Sequence, residues 1–240
     1  MRYSVAALVL FTVVASGCSG DGEKKPENKK DQPAPVASSS SSSSTPPAET
    51  PKAAARDLPF NPYARVASGD WYCALVRAKY EGKAPKDALP AASVWCWTGS
   101  AETDADKAVI AFETKPAIAD LAAGSRTWSK KEAPRGEEFL GGFKPEEITD
   151  WKCEDEKKTV GDKEFDCKKI SAAIGTDTIT VWLCADIPVT GIVAMTRKSD
   201  LGGGSAEVLE FEVAGFKATE PQASWGKTAE ELEKSLAEGK

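Results

Sequence analysis

Six cysteines, seven tryptophans and no histidine occur in 240 residues, and these counts limit the chemistry open to the chain. Without an imidazole, Ser-His-Asp and Cys-His nucleophilic catalysis is excluded, and the commonest zinc ligand is missing. A metal site would need cysteines or carboxylates alone, but no CxxC spacing is present. No GxGxxG or P-loop occurs either. We therefore expect no metal, no cofactor and no histidine-based catalysis. Carboxylates remain, in the adjacent pairs Glu137/Glu138, Glu146/Glu147 and Glu154/Asp155. Glycoside hydrolysis needs two carboxyl groups flanking one bond. Adjacent residues on a strand point to opposite faces, so solvated surface is the plainer account of these pairs. The "LGGGS" run at 201–205 offers backbone amides for a phosphate. It lies between two strand-like segments, however, and reads as a hairpin loop.

The tryptophans are at 71, 95, 97, 128, 151, 182 and 225. Trp95 and Trp97 share one face of one strand. With Trp182 they form the candidate lining of a site for a lipid or sugar. Aromatic core packing is the competing account.

The cysteines divide by context. Cys18 ends "VVASGC", behind Arg2 and an apolar run from Val5 to Val14 that is too short to span a bilayer. The small residues Ala15, Ser16 and Gly17 directly before the cysteine resemble the bacterial lipobox. That resemblance implies cleavage before Cys18, so 1–17 is a signal peptide. It also implies lipidation of the Cys18 thiol and a palmitate-type membrane anchor. Ser19, rather than aspartate, implies an outer-membrane address, facing the periplasm or the surface, if the host is Gram-negative. Two or three acyl chains anchor stably where a single chain is marginal.

Residues 18–57 continue with a Lys- and Pro-rich stretch, seven serines from Ser38 to Ser44, and "TPPAETPKAAA". Few aromatic or β-branched residues are present to offset ordering entropy, so this part reads as a disordered tether. The net charge of −6 argues against nucleic acid as a partner. The expected partners are the membrane through the N-terminal lipid, and an envelope protein or a hydrophobic ligand.

Residues 58–240 read as a single β-rich domain. "AEVLEFEVAGF" alternates, with Leu209, Phe211 and Val213 facing one way and Val208, Glu210 and Glu212 the other. "TITVWLC" (178–184) is apolar on both faces and is expected inside the sheet. With "GIVAMTRK" and two strands around Gly161-Asp162, residues 149–215 form a five-strand antiparallel meander. Four noisier strands precede it, at 71–80, 92–99, 107–115 and 125–131. A helical piece is expected over 116–124, and a short helical turn within "GEEFLGGFKPEEITDW". A C-terminal helix begins with the capping pair Thr228 and Glu231; it is short and polar, and is expected to pack weakly. The fold class is mainly β: an antiparallel meander forming a half-open barrel or a sandwich, with a few short peripheral helices.

A turn centred on Gly175-Thr176 places Cys167 opposite Cys184, and a hairpin around 81–91 pairs Cys73 with Cys96. Disulfides Cys73–Cys96 and Cys167–Cys184 are therefore expected in an oxidising compartment, leaving Cys153 as a free thiol. The alternative, Cys153–Cys167, is out of register by about three residues around Gly161. Cys153 is either a buried thiol acting as a small hydrophobe or a reactive, intermolecular one.

"VWLCADIPVTGIV" (181–193) resembles a pattern in uncharacterised exported lipoproteins, some with a half-barrel like that of the lipoprotein-carrier family. The resemblance implies a sheet wrapped around an apolar cavity. The leading functional expectation is a membrane-anchored envelope lipoprotein with a non-catalytic interaction or structural role. The alternatives are a carrier of a lipid or other hydrophobic ligand, and a histidine-free carboxylate hydrolase.

Overall fold

In a computed structural model of the chain, the described residues are 56–118, 121 and 123–238. Cys18, the signal segment and the tether lie outside them, except that Arg56 and Asp57 are already in place. The backbones of Asp57 and Arg135 form an isolated antiparallel β-bridge, and the Arg56 carbonyl accepts from the Gly136 N–H at 2.8 Å.

The fold is one antiparallel sheet. β1 (Trp71–Glu81), β2 (Ala92–Gly99), β3 (Lys107–Lys115) and β4 (Gly124–Ser129) form one meander. β5 (Ile148–Val160), β6 (Lys163–Ile174), β7 (Asp177–Leu183), β8 (Ile192–Gly202) and β9 (Ser205–Ala218) form the second. The two join where β1 pairs with β9, giving the order β4-β3-β2-β1-β9-β8-β7-β6-β5. The short β10 (Ala223–Gly226) adds to β9. The sheet does not close into a barrel: β4 and β5 are its edges. Both expected meanders are present, and β7 lies inside the sheet between β6 and β8.

Local chemistry explains the register. Two-residue turns at Gly161-Asp162 and Gly175-Thr176 join β5 to β6 and β6 to β7, with closing pairs Val160↔Lys163 and Ile174↔Asp177. Both glycines have φ of +60°, the left-handed conformation that hairpin turns require. β9 alternates as its sequence dictates, with Leu209, Phe211 and Val213 buried. The register shifts opposite Cys73 and Ala74, so Phe216 is buried as well.

Non-strand segments complete the core, with Leu89 from the β1–β2 connection and Leu121 from the β3–β4 connection among their residues. Residues 56–70 contribute Leu58, Tyr63 and Val66. The β4–β5 connection contributes Phe139 and Leu140, and the β7–β8 connection contributes Ile187 and Val189. The β4–β5 connection holds α1 (Gly136–Phe139) and a single 3-10 turn at Pro145–Glu147, matching the short helical turn expected there. Trp95 sits at the centre, with ring centroids 5.0 Å from Phe211, 5.7 Å from Phe112 and 6.3 Å from Trp97. Tyr63 stacks on Trp128 at 4.5 Å, fastening the first segment to β4. Asn61 adds hydrogen bonds from its amide to the carbonyls of Ser129 (3.1 Å) and Glu132 (3.0 Å).

Two expectations change. Of 116–124, residues 119, 120 and 122 lie outside the described set. Residues 116–118 are not helical, and Gly124 opens β4. The C-terminal helix α2 (Ala229–Ala237) does more than fray. Leu232 packs into a small cluster with Cys73, Val94 and Cys96, joined by Leu236 and Trp71. The capping box is formed as expected: Thr228 Oγ1 accepts from the Glu231 N–H, and Glu231 Oε2 accepts from the Thr228 N–H.

Candidate functional site

The sequence-selected tryptophans come first. Trp95 is 1% exposed and Trp97 3%. They line a void of about 20 Å³ with Tyr72, Phe139, Leu140 and Phe211. A space that size admits a water molecule and no organic ligand. Burial pushes the Tyr72 hydroxyl pKa well up, with the Thr190 hydroxyl beside it opposing the shift. The Trp97 indole nitrogen makes no hydrogen bond among the described residues. The pair on one strand face is therefore core.

Trp182 is elsewhere. On β7, Ile179, Val181 and Leu183 are buried, and Trp182 alternates with them to the opposite face. Its indole N–H donates to Glu156 Oε1 at 2.9 Å, and Lys158 lies over its ring at 4.4 Å. The three tryptophans do not line one site.

Most of the candidate carboxylates are engaged locally, Glu137 by the Arg135 guanidinium at 3.9 Å. Glu138 and Glu147 accept from the Arg135 and Lys144 N–H groups, capping α1 and the 3-10 turn. Asp155 pairs with Lys168 at 2.6 Å. Glu154 and Glu156 share Lys169 at 3.2 and 2.7 Å. The hydrogen bonds from Lys169 and Trp182 hold the Glu156 carboxyl below the usual glutamate range. Among the described residues, no three cysteine, aspartate or glutamate side chains are grouped to hold a metal, and no helix is long and apolar enough to cross a membrane.

Cys73 and Cys96 are disulfide-bonded, as expected, with Cα atoms 4.2 Å apart. Cys153, Cys167 and Cys184 are thiols, so the expected Cys167–Cys184 bond is not formed in this structure. Burial pushes the Cys167 thiol up to about 12 and raises that of Cys184. Cys153 is exposed rather than buried, because β5 is an edge strand whose residues there face solvent. Partial desolvation still raises its pKa, which reduces the thiolate needed for reactivity.

Among the described residues, a cleft of about 480 Å³ opens at one end of the sheet, within the range of ligand pockets. Phe60, Pro62 and Val66 form one wall and Ile187, Pro188 and Val189 the second. Phe216, Ala218 and Pro221 form the third, with Arg65, Asp186, Lys163 and Glu220 adding charge. Lys163 reaches this end from β6, with its ammonium 5.0, 5.3 and 5.7 Å from the ring centroids of Phe165, Phe216 and Trp225. Such cation–π contacts fix its position. Asp70 anchors the floor, accepting from the Ala67 N–H at 2.8 Å and the Thr219 N–H at 2.6 Å.

The second wall carries strain. Val189 has φ of +69° and is fully buried. A β-branched residue in that region costs about 1–3 kcal/mol and persists only where its surroundings dictate it. Gly191, also at φ +69°, lies where a Cβ would come within 3.1 Å of Pro62 and 3.2 Å of the Phe60 ring. The glycine thus lets the first and second walls meet. A shallower groove of about 460 Å³ adjoins through Phe60 and Ala185 and is lined by Asp155, Lys157, Cys167 and Lys168.

Sequence reasoning missed this cleft. The "ADIPVTG" turn was visible, but nothing local showed that "FNPYARV" folds back against it.

No family model matches the chain, and no curated protein matches it. Among solved structures, the chain is similar to a LolA superfamily protein from Nitrosomonas europaea, at 8% identity and a TM-score of 0.21, over 60% of this chain and 84% of that one. A score that low carries no argument about fold or ligand.

Proposed function

We propose that the chain is a membrane-anchored envelope lipoprotein with a non-catalytic interaction role, exercised at the rim cleft. One observation carries the site: the interior under α1 is filled to about 20 Å³, whereas the cleft of about 480 Å³ stands open beside a strained, fully buried Val189. Cys18 supplies the anchor. Four of the six candidate carboxylates, Glu138, Glu147, Glu154 and Asp155, are committed to lysines and helix caps. Photo-crosslinking in intact cells tests the reading. A benzophenone side chain at the exposed positions Arg65 and Ala185 should capture a partner, and the same group at Lys107 on β3 should not. Equal capture at all three positions, or capture at Lys107 alone, contradicts it.

A carrier role is the second reading. It is favoured by the way the inner face of the sheet is covered: by α1 and connecting segments, through Phe139, Leu140, Ile187 and Val189, rather than by a second sheet. Native mass spectrometry showing a non-covalent lipid would support it.

A further inference from the structure

We propose that Cys167 and Cys184 close as a second cross-strand disulfide, pinning the root of the Ala185–Val189 wall of the cleft. The argument is register. β6 and β7 pair without a shift from Ile174↔Asp177 to Lys168↔Leu183, and the same register carried one step past the last paired residues sets Cys167 opposite Cys184. The closing pair of a two-residue hairpin exchanges hydrogen bonds. Hydrogen-bonded and non-hydrogen-bonded pairs then alternate along the ladder, and the cysteines fall at an odd step, a non-hydrogen-bonded site. The backbone agrees. The Cys184 N–H turns away from β6 and donates at 2.8 Å to the Gly191 carbonyl, on the β8 side. Cα atoms at such a site are about 4.5 Å apart, inside the range a disulfide spans. The first pair has the same layout. Cys73 and Cys96 are direct partners of β1 and β2, 4.2 Å apart, and are bonded.

Both thiols are buried in the main core, and the Cys167 S–H donates to the Phe165 carbonyl at 3.5 Å. Burial and raised pKa slow thiolate attack in the folded chain, so the bond forms during folding. A Cys167 thiolate attacks a low-molecular-weight disulfide such as oxidised glutathione, forming a mixed disulfide and releasing one thiolate. The Cys184 thiolate then attacks the Cys167 sulfur and releases the second. Two cysteine thiols are oxidised and one glutathione disulfide is reduced to two thiols.

The bond itself rests on this geometry and is tested independently of the cleft reading, which supplies only its consequence. The full chain is unfolded, reduced, refolded in a glutathione redox buffer and alkylated without reductant. Trypsin separates the cysteines, because Lys152, Lys157, Lys163, Lys168, Lys169 and Arg197 put 153, 167 and 184 on different peptides. The expected map joins 164–168 to 170–197, two hydrogens lighter than the separate peptides, with complete loss of label at Cys167 and Cys184 and full label at Cys153. The same map is made on chain taken from cells under acid quench, so that a poor refolding yield does not decide the result. Full alkylation of Cys167 and Cys184 while Cys73–Cys96 is closed, or a Cys153–Cys167 link, overturns the proposal.

Discussion

The space under α1 and the cleft at the end of the sheet are both walled by apolar side chains, yet the first measures about 20 Å³ and the second about 480 Å³. Strand residues wall the first for the most part: Trp95 and Trp97 on β2, Tyr72 on β1 and Phe211 on β9. Their alternation brings large rings to one face, where they fill each other's gaps. Connecting segments wall most of the second, around Pro62, Pro188 and Pro221. Backbone that must turn, and that holds Val189 at φ +69°, cannot pack as closely as facing strands. In this molecule large aromatic residues on regular strands build the core, and irregular segments leave the opening.

The sharpest way to break that contrast is to empty the filled region. Trp95→Ala should lower unfolding free energy by about 3–5 kcal/mol, read from urea denaturation. A loss under about 1 kcal/mol would mean the interior is less tightly filled than described. Replacing Cys73 and Cys96 together by alanine should cost about 2–4 kcal/mol, measured the same way. It should also loosen α2, which rests on that bond through Leu232; faster amide exchange in 230–237 would show it. The cleft should behave oppositely. Ala185→Arg puts a long side chain at an exposed lining position. It should change stability by less than about 0.5 kcal/mol while abolishing crosslinking from Arg65.

The smallest effect belongs to the outer face around Trp182. Because the Glu156 pKa is lowered in the folded chain, its ionised form stabilises the fold above the usual glutamate value. That contribution is lost as pH falls through the lowered value. Glu156→Gln should therefore have a lower urea midpoint than the parent at about pH 7, and the two should converge at about pH 2. A difference that grows in acid would refute the assignment.

Much of the fold was legible because its signals are local. The alternation in β9, the glycine turns at 161 and 175, and the Thr228/Glu231 cap each depend on neighbours within a few residues. The Cys73–Cys96 pairing followed from one hairpin. What was not legible depends on long-range placement. Trp95, Trp97 and Trp182 are indistinguishable as aromatic strand residues, and only the packing of 56–70 and of α1 over one face separates them. The contact between Gly191 and the Phe60–Pro62 segment joins positions about 130 apart in sequence, a separation at which local patterns carry no information. Cys153 was expected to be buried, or else reactive. Its place on an edge strand, set by the order of the whole sheet, leaves it exposed.

Native mass spectrometry of the full chain, extracted from the envelope and freed of detergent, tests most directly whether the interior is filled and the cleft is the working surface. The account predicts the covalent mass of the anchored chain and no further mass that dissociates as a lipid. A lipid retained by the parent, and lost when the buried Phe139 of α1 is changed to aspartate in a chain that still folds, would contradict it and make the inner face the site.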